Sequence, residues 1–304
     1  MPTLAAPLLA LALAATTTQQ IVDGAPPSAW RPLDPERTLY LELPAGRVVI
    51  ELAPQFAPRH VANVKALARG GYWDGLAILR AQDNYVVQWG DPEDEDPARA
   101  RPLGKAEARL PAEFTAAAAG LPFARLPDLD GWAPQVGFSD GFAVARDGPS
   151  GRAWLVHCYG VVGAARDVPP DSSNGASLYA VIGQSPRHLD RNITTVGRVV
   201  QGMELLSVMA RGPAPMGFYE QATARTPVKA VRVAADVPPA ERTALEVFRT
   251  EGPAWEALLE SRRNRREPWY QRPAGHLDLC NVSVPVRAVK PPPGPTPAPS
   301  PAGR

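Results

Sequence analysis

Short runs of alternating apolar and polar residues fill the middle of the chain. TLYLEL (38–43) and RVVIEL (47–52) each repeat with a period of two, and Pro44-Ala45-Gly46 between them supplies a turn. Side chains of a strand alternate between its two faces, so this pattern predicts a β-hairpin. In APQFAPRHVANVKALARGG (53–71) the period changes. Val61, Val64, Leu67 and Ala68 recur at helical spacing, and Gly70-Gly71 provides a stop. AILRAQDNYVVQWGD (77–91) returns to strand, breaks at Gln82-Asp83-Asn84 and resumes. FAVARD (142–147), RAWLVHCYGVVGAARD (152–167), ASLYAVIG (176–183), ITTVGRVV (193–200) and PVKAVRVAAD (227–236) read as further strands. A short helix after Gln201-Gly202 carries Met203, Leu206 and Met209. Many short strands with two helices predict a mainly β fold, a closed antiparallel sheet capped at its ends.

The flanks read differently. Residues 16–36 are rich in Thr, Gln, Pro and Ala and are expected to be a linker, with the domain spanning 37–236. Residues 92–150 are charged, Pro-containing and full of turn formers. They read as a long surface insertion, tolerable because closure entropy grows slowly with loop length. Residues 237–288 form an extension, expected to hold two helices divided at Pro253 and an edge strand within 276–286. The arginines at 262–266 suit a helix C-terminus. The Pro-rich tail at 289–304 is expected to be disordered or polyproline-like.

The chain has 304 residues with a formal net charge of +1, which gives no electrostatic case for nucleic acid. The apolar run within residues 1–15, followed by small polar residues, resembles a secretory signal peptide and implies a periplasmic or secreted protein. That run is shorter than the ~20 residues that span a bilayer, so no membrane span is expected. Cys158 and Cys280 can pair in an oxidising compartment or remain buried thiols; the sequence leaves both open. No zinc or redox spacing is present, and neither metal nor cofactor is expected. The chain is read as a monomer.

Three side chains within 77–91 can form a reactive surface: Arg80 as a fork of donors, Gln88 as donor and acceptor, and Tyr85 as an apolar face. The stretch holds no acid–base pair, no nucleophile–base pair and no metal ligands. This points to chemistry by hydrogen bonding and shape. His60 and His157 read as structural, and Asp91 and Asp190 as residues that fix turns.

Taken in order, three blocks resemble the cyclophilin family of peptidyl-prolyl cis–trans isomerases: Arg80, Tyr85, Gln88, Gly90 and Asp91; Asn174 to Tyr179; and Leu189, Asp190, Gly197 and Val199. The resemblance implies an eight-stranded antiparallel β-barrel capped by two helices, with a long insertion and a helical C-terminal extension. It implies acceleration of X-Pro bond rotation in exported, proline-containing polypeptides. Arg80, Tyr85 and Gln88 would be the catalytic set. Val86, Ala165, Arg166, Ser177, Tyr179, His188, Leu189 and Ile193 would contact substrate. Ser177 stands where the family has a glutamine, Tyr179 where it has a phenylalanine, and Arg166 where it has an asparagine. Ser177, Arg166 and Ile193, which stands where the family has a histidine or an aromatic, motivate an alternative reading, a proline-peptide-binding or chaperone-like module with weak or no isomerase activity.

Overall fold

The computed structural model describes residues 17–289. The signal-like run at 1–15 and the tail beyond Val289 lie outside the described residues.

Eight strands form one antiparallel sheet: β1 (Thr38–Leu43), β2 (Gly46–Leu52), β3 (Ala77–Ala81), β4 (Val86–Gly90), β5 (Val161–Ala164), β6 (Leu178–Val181), β7 (Thr195–Gln201) and β8 (Ala230–Val233). Their spatial order is β8-β1-β2-β7-β5-β6-β4-β3. The sheet curls until its edges meet. Ile78 donates to the Thr226 carbonyl at 2.8 Å and Val228 to the Leu76 carbonyl at 2.7 Å, tying β3 to the segment leading into β8. The predicted hairpin is β1–β2, paired from Thr38↔Glu51 to Leu43↔Gly46.

The inward positions of these strands supply the core. Leu39, Leu41, Val48, Ile50, Ile78, Trp89 and Leu178 are fully buried there. Helix α2 (Pro58–Arg69) lays Val61, Val64, Leu67 and Ala68 onto the same core, as its spacing predicts. Helix α3 (Met203–Ser207) adds Leu206.

The flanking segments differ from expectation. Residues 16–36 hold helix α1 (Thr18–Asp23) and a strand at Trp30–Pro32, and Trp30 is buried. The segment is therefore no extended linker. Helix α4 (Pro253–Arg263) begins at the expected proline, but Leu245–Phe248, expected as helix, is a strand. Its apolar–polar–apolar sequence suits a strand, and it lies between Trp30–Pro32 and Val286–Ala288 in a three-stranded sheet. The edge strand expected within 276–286 falls instead at Val286–Ala288, preceded by a 3₁₀ turn at Leu279–Asn281.

The insertion contributes to a third sheet, in which Gln135–Ser139, Phe142–Asp147 and Arg152–Leu155 are the longest strands. The run 152–167, expected as one strand, is split into two by the bend at His157–Gly160. Trp30, Phe138, Trp154, Phe248 and Trp255 form a second core that joins the amino-terminal segment, the insertion and the extension. Phe248 meets the Trp30 ring edge-on at 4.8 Å, and Trp255 meets Phe138 at 4.9 Å. A Cys158–Cys280 disulfide ties the extension to the segment before β5. No helix among the described residues is long and apolar enough to cross a membrane.

Candidate active site

The two-residue period of β4 and β6 divides their side chains between core and surface. Val87 and Trp89 on β4, and Leu178 and Ala180 on β6, point into the barrel. Val86, Tyr179 and Val181 point outward and pack as a separate cluster with Tyr85, Ala165 and Ile193. The two strands are paired directly, Tyr179 opposite Gln88 and Val181 opposite Val86. A register irregularity on β3 between Ile78 and Arg80 places Arg80 opposite Gln88. Such a bulge re-aims the side chain that follows it. These residues line a groove of about 600 Å³.

Arg80 is 8% exposed and forms no ion pair among the described residues. Its partners are neutral. Nε donates to the Met216 carbonyl at 2.5 Å, Nη1 to Gln88 Oε1 at 3.4 Å, and Nη2 to Gln82 Oε1. Its guanidinium lies 5.0 Å from the Phe218 ring centroid and 5.6 Å from that of Tyr85. Burial lowers the Arg80 pKa, yet an arginine so placed stays charged at any physiological pH. Burial also raises the Tyr85 hydroxyl, with Arg80 pulling the other way. Gln88 Nε2 donates to Ser177 Oγ at 2.9 Å. Gln88 is thereby fixed at one end by Ser177 and holds Arg80 with the other.

Tyr179, 4% exposed, offers its ring to the groove while its hydroxyl bonds inward to His157 Nε2 at 2.9 Å. Burial pushes that hydroxyl's pKa up, helped by Tyr85 and Asp190. Ala165, Leu189 and Ile193 line the groove as well. Arg166 reaches the rim, where its Nε and Nη1 are engaged: they donate to the carbonyls of Asn192, Asp167 and Val168 at 2.8, 2.6 and 3.0 Å. The side chain braces two loops together. His188 does not line the groove; its ring stacks on Tyr85 with 7° between planes at 6.5 Å.

The structure adds residues that sequence reasoning missed. Gln82, Met216 and Phe218 position Arg80, and Asp94, Glu95 and Arg101 from the insertion form part of the rim. Met216 and Phe218 come from a Pro- and Gly-rich loop without periodicity, so no pattern marks them. Gln82, two residues from Arg80, was open to view as a neighbouring acceptor. Among the described residues no cluster of metal-ligating side chains occurs.

Residues 38–235 match the family model "Cyclophilin type peptidyl-prolyl cis-trans isomerase/CLD". A probable peptidyl-prolyl cis-trans isomerase of Brucella suis is 30% identical over 185 residues, covering 59% of this chain and 74% of its own. Human peptidyl-prolyl cis-trans isomerase-like 1 is 37% identical over 67 residues, 22% of this chain and 38% of its own. The crystal structure of cyclophilin AquaCyp293 from Hirschia baltica superposes with a TM-score of 0.67 at 24% identity, covering 91% of this chain and all of that one. That superposition takes in the flanking segments as well as the barrel, and shows the fold. The family match spans the barrel and every strand that builds the groove, and on that ground the chain belongs to the cyclophilin-type peptidyl-prolyl cis–trans isomerases.

Proposed function

We propose that the groove binds X-Pro segments of polypeptides and that Arg80 drives the rotation. Resonance stiffens the amide C–N bond, giving a barrier of ~18–20 kcal/mol. For X-Pro the cis and trans states differ by only about 0.5–1 kcal/mol, so the problem to solve is rate. As the bond twists, conjugation is lost and the proline nitrogen becomes an acceptor. A donor aimed at it strengthens only in the twisted state, which is the condition for catalysis. Each Nη of Arg80 keeps a second N–H beyond those given to Gln82 and Gln88. The surface of Tyr85, Val86, Tyr179, Leu189 and Ile193 takes the proline ring while the preceding residue rotates. Gln88, held by Ser177, keeps the guanidinium aimed.

The observation that carries this reading is a buried guanidinium with neutral hydrogen-bond partners, beside the apolar patch of Tyr85, Val86, Tyr179 and Ile193 in the groove. A carboxylate partner would spend its donor strength; among the described residues none pairs with it. A charge-assisted hydrogen bond is worth about 1.5–3 kcal/mol, or roughly 10–100-fold in rate. The test is isomerisation of an X-Pro peptide by wild type and Arg80→Ala. Arg80→Ala is expected to lose kcat/KM by about that factor. Equal rates would sink the assignment, and peptide binding without rate acceleration would instead select a binding module.

We further propose that the protein works outside the cytosol on exported clients. The signal-like residues 1–15 and the Cys158–Cys280 disulfide support this, since disulfides persist in oxidising compartments. Amino-terminal sequencing of the protein recovered from cell-envelope fractions tests it. An intact Met1 start in the cytosolic fraction would count against export.

A further inference from the structure

His157 is fully buried, and nothing in bond rotation calls for a buried imidazole. Its surroundings connect it to the groove. Nε2 lies 2.9 Å from the Tyr179 hydroxyl, and Nδ1 lies 3.1 Å from Asp190 Oδ1. The backbone N–H of His157 donates to that same Asp190 oxygen at 3.0 Å. Asp190 Oδ2 in turn accepts from Arg187 Nε at 2.8 Å. A carboxylate paired with a guanidinium is an acceptor, so Nδ1 carries the imidazole proton. Nε2 is then the acceptor, and the Tyr179 hydroxyl donates to it.

The connection continues outward. Arg187 gives Nη1 and Nη2 to the two oxygens of Asp130 at 2.8 and 3.0 Å. Asp130 belongs to the insertion and also accepts the backbone N–H groups of Trp132 and Ala133, each at 2.9 Å. At the other end, the Tyr179 hydroxyl reaches His157 only because residue 163 is glycine. A Cβ on Gly163 would overlap the end of the Tyr179 ring.

We infer that His157 is a positioning residue: through the Tyr179 hydroxyl it fixes one wall of the proline-binding surface, and the Asp190–Arg187–Asp130 chain sets that wall from the insertion. The inference rests on the reading of the groove as the X-Pro site. The physical reason is rigidity. A buried polar network in which every member is satisfied holds one geometry, and catalytic fit is sensitive to shifts of about 1 Å. With the hydroxyl bond broken, Tyr179 is held by packing alone and the ring site loosens.

The test is a double-mutant cycle on the full chain, using Tyr179→Phe, His157→Phe and the double variant. KM and kcat are measured on an X-Pro peptide. Each single change is expected to raise KM about fivefold, the worth of one neutral hydrogen bond, with a smaller effect on kcat. The double variant is expected to be no worse than either single one, because both remove the same bond. Asp130→Asn, outside the groove, is expected to raise KM in the wild-type background and not in the Tyr179→Phe background. If His157→Phe does not fold, Asp130→Asn and Tyr179→Phe complete the cycle without it. Losses that multiply, or an unchanged KM in Tyr179→Phe, would overturn the inference. A wild type without isomerase activity would instead overturn the reading of the groove.

Discussion

Arg80 is a charge taken out of water without a counter-charge, so three neutral acceptors and two aromatic faces must compensate for its lost hydration. Those acceptors match a planar fork with N–H groups in fixed directions. Lysine keeps the charge but not the fork. Arg80→Lys is therefore expected to lose about tenfold or more in kcat/KM, close to the loss for alanine; steady-state peptide kinetics would show it, and wild-type rates would mean that charge alone suffices. Gly163 poses the opposite constraint. A methyl group there meets the Tyr179 ring, and the ring cannot yield without leaving His157. Overpacking of this kind costs ~1–3 kcal/mol. Gly163→Ala should lower the urea midpoint accordingly and raise KM at the same time; an unchanged midpoint would show that the strand can shift to make room.

Helix α2 lacks a capping side chain of its own, because its N-cap residue is Ala57. Glu113 of the insertion replaces it, accepting from the backbone N–H groups of Arg59 and His60 at 3.0 and 2.8 Å and meeting the His60 ring at 2.8 Å. A carboxylate at a helix N-terminus satisfies orphan donors and suits the dipole. Burial alone would push Glu113 up, but the His60 ring and the two N–H groups outweigh it and hold the carboxyl below its ordinary value of 4.5. A folded pKa below the unfolded one means stability that is present above pH 4.5 and lost as the pH falls through the folded value. Glu113→Gln is expected to cost about 1 kcal/mol near neutral pH and to flatten the acid limb of a stability–pH curve. An acid limb as steep as wild type's would remove Glu113 from that role. This contact was not legible in the sequence, since residues 53 positions apart share no pattern. What could be read was local: the periods of β1, β2, β4, β6 and α2, and Arg80, Tyr85 and Gln88 within one stretch; the remaining groove residues came from the resemblance of three sequence blocks to the cyclophilin family. Leu245–Phe248 was misread because four residues beside a genuine helix carry too little periodicity to separate the two.

At the scale of the whole molecule the barrel core is one of the two largest apolar clusters among the described residues, and the second was invisible for the same reason. Trp30, Phe138, Trp154, Phe248 and Trp255 come from four separate stretches, which taken alone look like linker, insertion, strand and helical extension. Only their meeting makes them a core. Burying such side chains is worth ~1.5–3 kcal/mol each, so the flanks are expected to fold with the barrel and not beside it. Ending the chain after Asp236 removes Phe248 and Trp255, uncovers Trp30, Phe138 and Trp154, and releases Cys158 from Cys280. The disulfide closes a separation of 122 residues, for which the chain-entropy model gives roughly 4–5 kcal/mol. The shortened chain is therefore expected to bind a hydrophobic dye, to aggregate on expression and to unfold well below the full chain. The full-length Cys158→Ser/Cys280→Ser variant keeps the second core and loses only the tether, so it should remain soluble and active at low temperature with a lower midpoint. A soluble, monomeric and active chain ending at Asp236 would show that the barrel stands alone.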